Sequence, residues 1–131
     1  MKRKDRPMRS IVLVSPLLDR WQEFAHALKA GIQVGIINAR SGNEALEAAR
    51  TANPVAMAID VQLGDMSGVD LVKRLLRLNA MINIALASDE PEEHFHAKTE
   101  GLGILMKLSS IPNSAEAAGL IACLRQVTEL P

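Results

Sequence analysis

Five short apolar runs alternate with five stretches of helical periodicity along almost the whole chain, and few folds accept that rhythm. The runs Ile11–Val14, Val34–Ile37, Val55–Ile59, Ile82–Ala87 and Ile104–Met106 read as strands. Between them, Leu18 to Ala30 carries Leu18, Trp21, Phe24, Ala25 and Leu28 at helical spacing, with Gly31 as its stop. Ser41-x-x-Glu44 is a capping-box pattern that opens a second helix, and Asn53-Pro54 ends it. A third helix runs from Gly68 to Leu78, with Val69, Val72, Leu75 and Leu76 inward. Pro91 starts a fourth, where Glu92 and Glu93 suit the positive end of its dipole. Asn113-x-x-Glu116 caps a fifth that reaches Thr128. The strands lack clean apolar–polar alternation, so both faces of the sheet are covered and the strands are parallel. At 131 residues the expectation is one α/β domain, a (βα)5 doubly wound five-stranded sheet of flavodoxin-like type with strand order 2-1-3-4-5.

Residues 1–9 are read as a basic, flexible tail and 10–129 as the domain. The first ten residues hold five basic side chains against one acidic, in a chain of zero net charge. No apolar run of signal-peptide or membrane-spanning length is visible, which predicts a cytoplasmic protein without membrane partners. Trp21, Phe24 and Phe95 are the only aromatic residues, too few for base stacking, so no direct nucleic-acid contact is expected. Cys123 lies in an apolar helical pattern and reads as a small core residue. His94, His96 and Glu100 include a four-residue metal-ligand spacing, but charged neighbours make a solvated helix face the better reading. The loop Ser15-Pro16-Leu17-Leu18 has no glycine, which excludes dinucleotide and P-loop sites; Gly101-x-Gly103 lacks a third glycine and precedes a strand. A small flavodoxin-like enzyme or nucleotide binder is disfavoured on the same ground, and no enzymatic activity is expected.

The informative polar residue is Asp60, which ends the third apolar run. Ligands of open parallel sheets collect at the carboxyl ends of strands. Ser88 ends the fourth run, and Lys107 is placed at the end of the fifth. Leu63, Met66 and Gly68 follow Asp60 at fixed intervals. With this ordered set the chain resembles the receiver domains of bacterial response regulators from about Arg9 to Thr128. The resemblance implies that Asp60 accepts a phosphoryl group from a histidine kinase or phosphotransfer protein. It implies that Lys107 neutralises phosphoryl charge, that Ser88 bonds a phosphoryl oxygen, and that the Gln62 backbone carbonyl and Asp60 sit at metal-ligand positions. It also implies a homodimer through the helix 4–strand 5–helix 5 face.

The departures from that pattern are specific. Ser15 and Pro16 stand where the family carries the acidic pair that holds Mg2+. Magnesium binding is therefore expected to be weakened. Asp60 and Lys107 would balance each other's charge, and a direct pair between them would leave the site satisfied without metal. Asp19 and Asp65 are the nearest candidates for a substitute carboxylate. Gly64 replaces the loop proline, Leu108 the proline after the lysine, and Ile104 the aromatic switch residue. Two readings follow: an atypical, slow phosphorelay receiver, or a non-phosphorylated pseudo-receiver acting as a protein-interaction module.

Overall fold

The computed structural model describes residues 9–128. The proposed tail, apart from Arg9, lies outside the described residues. Five parallel strands, β1 (Ser10–Val14), β2 (Gly35–Ala39), β3 (Ala56–Ile59), β4 (Ile84–Ala87) and β5 (Met106–Leu108), form one sheet in the order β2-β1-β3-β4-β5. Five helices connect and follow them: α1 (Gln22–Gly31), α2 (Gly42–Ala52), α3 (Gly68–Leu78), α4 (Glu92–Thr99) and α5 (Ser114–Val127).

Alternate residues of each central strand feed two separate cores. Ile11, Leu13, Ala56, Ala58, Ala85 and Ala87 meet Phe24 and Leu28 of α1 and Leu120 and Leu124 of α5. Val12, Val14, Met57, Ile59, Ile84 and Leu86 meet Leu71, Val72 and Leu75 of α3 and Phe95 of α4. Both sets are apolar because helices cover both faces, which is why no alternation shows in the sequence.

Local chemistry explains most of the element ends. Asn113 accepts from the Glu116 amide while the Glu116 side chain returns to the Asn113 amide, a complete capping box on α5. Ser41 accepts from the Glu44 amide, but the Glu44 carboxylate bonds the Arg40 amide instead of closing the box. Asn53 ends α2 at φ 48°, a left-handed position that Asn tolerates well.

Three expectations need correction. The first predicted helix opens as a 3-10 turn, Leu18–Trp21, before α1 proper. The expected stop at Gly31 holds, since Gly31 is the last residue of α1; in addition, a Cβ there would lie 2.5 Å from Ile121 Cδ1, so glycine allows α1 to pack on α5. The fifth strand is shifted two residues later than predicted. Gly103, at φ 67°, turns the chain just upstream, and pairing with β4 sets Met106 opposite Ala85 and Lys107 opposite Leu86. Lys107 thus lies inside β5 and Ile104 outside it. Cys123 is half-buried on α5 and outside both cores, a shallower position than the sequence suggested.

Candidate functional site

In a parallel sheet all strands end at one edge, which brings together residues far apart in the chain. Asp60 directly follows β3, and its amide donates to the Val14 carbonyl of β1 at 2.8 Å. The side chain is 6% exposed. Its Oδ1 accepts from the Val61 amide at 2.8 Å, and its Oδ2 accepts from the Ser15 hydroxyl at 2.6 Å. Ser15 is itself fully buried, its amide donates to the Ala39 carbonyl at 3.0 Å, and its Oγ accepts from the Leu17 amide at 2.9 Å. With that amide on one lone pair, the hydroxyl proton is directed at Asp60. Ser15 therefore sits on the carboxylate, at the position where the receiver resemblance would place an acidic residue.

The loop after Asp60 is shaped by two glycines. Gly68 opens α3 with its Cα against the strand end: a Cβ would lie 2.3 Å from the Asp60 carbonyl oxygen. Its amide donates to the Val61 carbonyl at 2.9 Å. Gly64 has φ 89°, a value proline cannot reach, so the loop differs from the proline-bearing one of the resemblance. Gln62 is exposed and pairs with Ser67 in a single antiparallel bridge.

Asp65 turns away to α2. It accepts from the Gly42 amide at 2.9 Å and the Asn43 amide at 3.0 Å. The Gly42 amide, with help from Asn43 and the charge of Arg74, holds its carboxyl below the ordinary 3.8. Asp65 is thus committed to the start of α2 and does not serve as a substitute carboxylate, and Asp19 is exposed on the 3-10 turn. The sign of the pH effect follows from the depressed value. Asp65 adds stability above its unfolded pKa, and that contribution is lost as pH falls through the lower folded one. We expect Asp65→Asn to lower the melting temperature at about pH 7 and to match the parent near about pH 2, in paired thermal melts across pH. An equal deficit at both values would refute this account.

Ser88 directly follows β4 and is 8% exposed. Its amide donates to the Leu108 carbonyl, and its Oγ accepts from the Glu90 amide at 3.0 Å. It closes the turn before α4; the helix itself begins after Pro91 with no side-chain cap. Lys107 does not make the direct pair with Asp60. Its Nζ donates to the Glu90 carbonyl at 2.9 Å and lies 3.8 Å from the Glu92 carboxylate and 5.7 Å from the centre of the Phe95 ring. Ile104 is half-buried and lines an open groove between α4 and β5. His94, His96 and Glu100 are exposed on or beside α4, and His96 pairs with Glu92 at 3.6 Å.

Sequence reasoning missed Glu90 and Glu92 as the groups that hold Lys107. Their position just after Ser88 was the available signal; the helix dipole accounts for an acidic residue at position 92 but not for one at 90. It also missed the role of Ser15, because nothing in the sequence gives the direction of a hydroxyl.

Magnesium demands a near-octahedral set of oxygens, usually with carboxylates. Beside Asp60 stands a serine already donating to the carboxylate, and the next residue in the chain is a proline with no donor side chain. This donor set does not fit the ion. Among the described residues, no group of three or more His, Cys, Asp and Glu side chains converges on a metal position. No helix among them is long and apolar enough to cross a membrane.

No protein-family model matches the chain, and no curated protein matches it by sequence. Solved structures do match. The signal receiver domain of an HD domain-containing protein from Pseudomonas fluorescens Pf-5 superposes with TM-score 0.77 at 20% identity, over 92% of this chain and 90% of that one. The chemotaxis response regulator CheY4 of Vibrio cholerae gives 0.76 at 20%, over 89% and 98%. A CheY-like receiver domain protein from Methanospirillum hungatei JF-1 gives 0.77 at 15%, over 91% and 95%. The chain has the CheY-like receiver fold.

Proposed function

We propose that this chain is a receiver module of a two-component phosphorelay in which Asp60 accepts a phosphoryl group from a histidine kinase or phosphotransfer protein, slowly and with weak dependence on magnesium. The observation that carries this reading is the placement of Asp60 directly after β3, Ser88 directly after β4 and Lys107 within β5, three neighbouring strands of one parallel sheet. A carboxylate, a hydroxyl and an ammonium carried by three neighbouring strands suit an anion transferred onto the carboxylate. In that step an Asp60 oxygen forms the new P–O bond, the N–P bond of the phosphohistidine breaks, and the imidazole leaves with the electron pair.

The same geometry explains a low rate. Each Asp60 oxygen already accepts a hydrogen bond, which lowers its nucleophilicity. The cation that would neutralise the incoming charge is held elsewhere. Those two facts also support the second reading, a pseudo-receiver that works through protein contacts alone.

Intact mass after incubation with acetyl phosphate separates the two. We expect a single phosphoryl adduct, formed slowly, little affected by EDTA and missing in Asp60→Asn. If no adduct forms at any magnesium concentration, the phosphorelay reading falls and the pseudo-receiver reading stands.

A further inference from the structure

Lys107 is held by three groups of the segment that leads from β4 into α4. The Glu90 carbonyl accepts from its Nζ, the Glu92 carboxylate lies beside it, and the Phe95 ring stands beneath it. The Lys107 side chain is 25% exposed and Phe95 is buried, so the carbonyl and ring contacts are shielded from water. Glu92 is exposed, and its share is smaller.

The rest of the segment is tied to the same point. Glu90 donates its amide to Ser88, and its carboxylate meets Lys98 at 2.7 Å. The other Glu90 carboxylate oxygen is buried without a partner. A small cavity bounded by Val61, Val69, Ser88, Phe95, Lys98 and Thr99 adjoins it. An unmet acceptor beside free space marks a segment that is not optimised for this one arrangement. α4 is also the shortest α-helix of the fold and buries only Phe95 and Thr99. Few buried contacts make a helix easy to displace.

We propose that Lys107 is a latch between the Asp60 site and α4. Bound to Glu90, Glu92 and Phe95, it cannot serve an anion on Asp60. Recruited to that anion, it gives up those contacts and frees the first turn of α4. On this proposal the ammonium leaves the first position to take the second, so a ligand at Asp60 shifts the balance between the two states. Ile104 offers no aromatic ring to report the change, and the lysine itself carries the connection. The phosphoryl half of this inference rests on the receiver reading; the tie between Lys107 and α4 does not.

The experiment therefore has two arms. In the first, all lysines are acylated with acetic anhydride and read peptide by peptide in the parent, Glu92→Gln and Phe95→Leu. We expect Lys107 to label about threefold faster in Glu92→Gln and about tenfold faster in Phe95→Leu, while Lys29 and Lys73 stay unchanged. Lys107→Met should speed amide exchange in α4 but not in α5. Unchanged Lys107 labelling in both variants overturns the latch. So does a uniform rise at every lysine, which would report general loosening. In the second arm the parent is treated with acetyl phosphate. Faster α4 exchange in the adduct, missing in Lys107→Met, supports the latch, and an adduct that leaves α4 exchange unchanged overturns it. Failure to form any adduct counts against the receiver reading, and the labelling arm still decides whether α4 holds Lys107.

Discussion

A Ser15→Asp, Pro16→Asp variant will melt well below the parent in EDTA and recover that loss in millimolar magnesium, whereas the parent will melt at one temperature in both. The Ser15 hydroxyl, 2.6 Å from Asp60 Oδ2, donates a hydrogen bond from a fully buried position. An aspartate there replaces that donor with a second carboxylate. Two like charges about 4 Å apart repel by about 1 kcal/mol in water and about 4 kcal/mol at the effective dielectric of a protein surface. The lost hydrogen bond adds about 1 kcal/mol. Pro16 is exposed, so its aspartate adds little repulsion but supplies a further oxygen ligand. A net cost of roughly 2–5 kcal/mol should lower the melting temperature by about 10 °C or more.

Magnesium reverses the sign of this balance. The pocket that repels itself when empty becomes the oxygen-rich set the ion takes. Binding to the folded state alone stabilises it by about 2.7 kcal/mol at about 100 times Kd. The magnesium dependence of the melt thus measures affinity without any phosphorylation chemistry. A variant as insensitive to magnesium as the parent would show that carboxylates at positions 15 and 16 do not complete with Asp60 the ion site that the Ser15–Asp60 hydrogen bond leads us to expect.

The parts of this molecule that were legible in the sequence are those that local chemistry decides. The boundaries of α3 follow from one apolar stripe between Ser67 and Asn79, and the predicted span agrees with the observed one. The capping box on α5 needed only Asn113 and Glu116. The sheet order 2-1-3-4-5 comes with the flavodoxin-like class that an alternating chain of this length points to, and the structure has it. What was not legible depends on partners distant in sequence. Asp65 looked like a spare carboxylate until the structure set it on α2, 23 residues upstream at Gly42. Gly31 does end α1 as its sequence suggests, but its packing role was not readable, because Ile121 is invisible from its own neighbourhood. At the site, the residue types were readable but not their pairing. Opposite charges on Asp60 and Lys107 suggested an ion pair, and a backbone carbonyl, which no sequence pattern announces, took the lysine instead.

Gly68→Ala should be strongly destabilising, because the closest atom to its new methyl group would be backbone and not a flexible side chain. Alanine is normally the better helix former, by about 1 kcal/mol in a helix interior. Here that preference is overruled by contact. The new Cβ would stand 2.3 Å from the Asp60 carbonyl oxygen and 3.0 Å from Leu86 Cδ1. The first partner is backbone at the end of a central strand, already tied into the sheet by the Asp60 amide, so it cannot swing aside as a flexible side chain would. Either α3 backs away from the sheet, opening the core around Leu71 and Val72, or the end of β3 shifts. Overpacking of this kind costs about 1–3 kcal/mol where neighbours relax, and a backbone partner places the expected loss at the upper end, about 3 kcal/mol. Gly64→Ala is the internal comparison. Its φ of 89° strains an alanine, yet a Cβ there meets nothing within 4 Å, so the expected loss is only about 1 kcal/mol. Urea denaturation of both variants orders them, with the Gly68→Ala midpoint expected well below that of Gly64→Ala. Equal midpoints would mean that the close approach of α3 to Asp60 is not what fixes this loop. The same variant links fold to function. Because the obstructed atom belongs to Asp60 itself, Gly68→Ala should reduce phosphoryl adduct formation even in conditions where the protein remains folded, and Gly64→Ala should not.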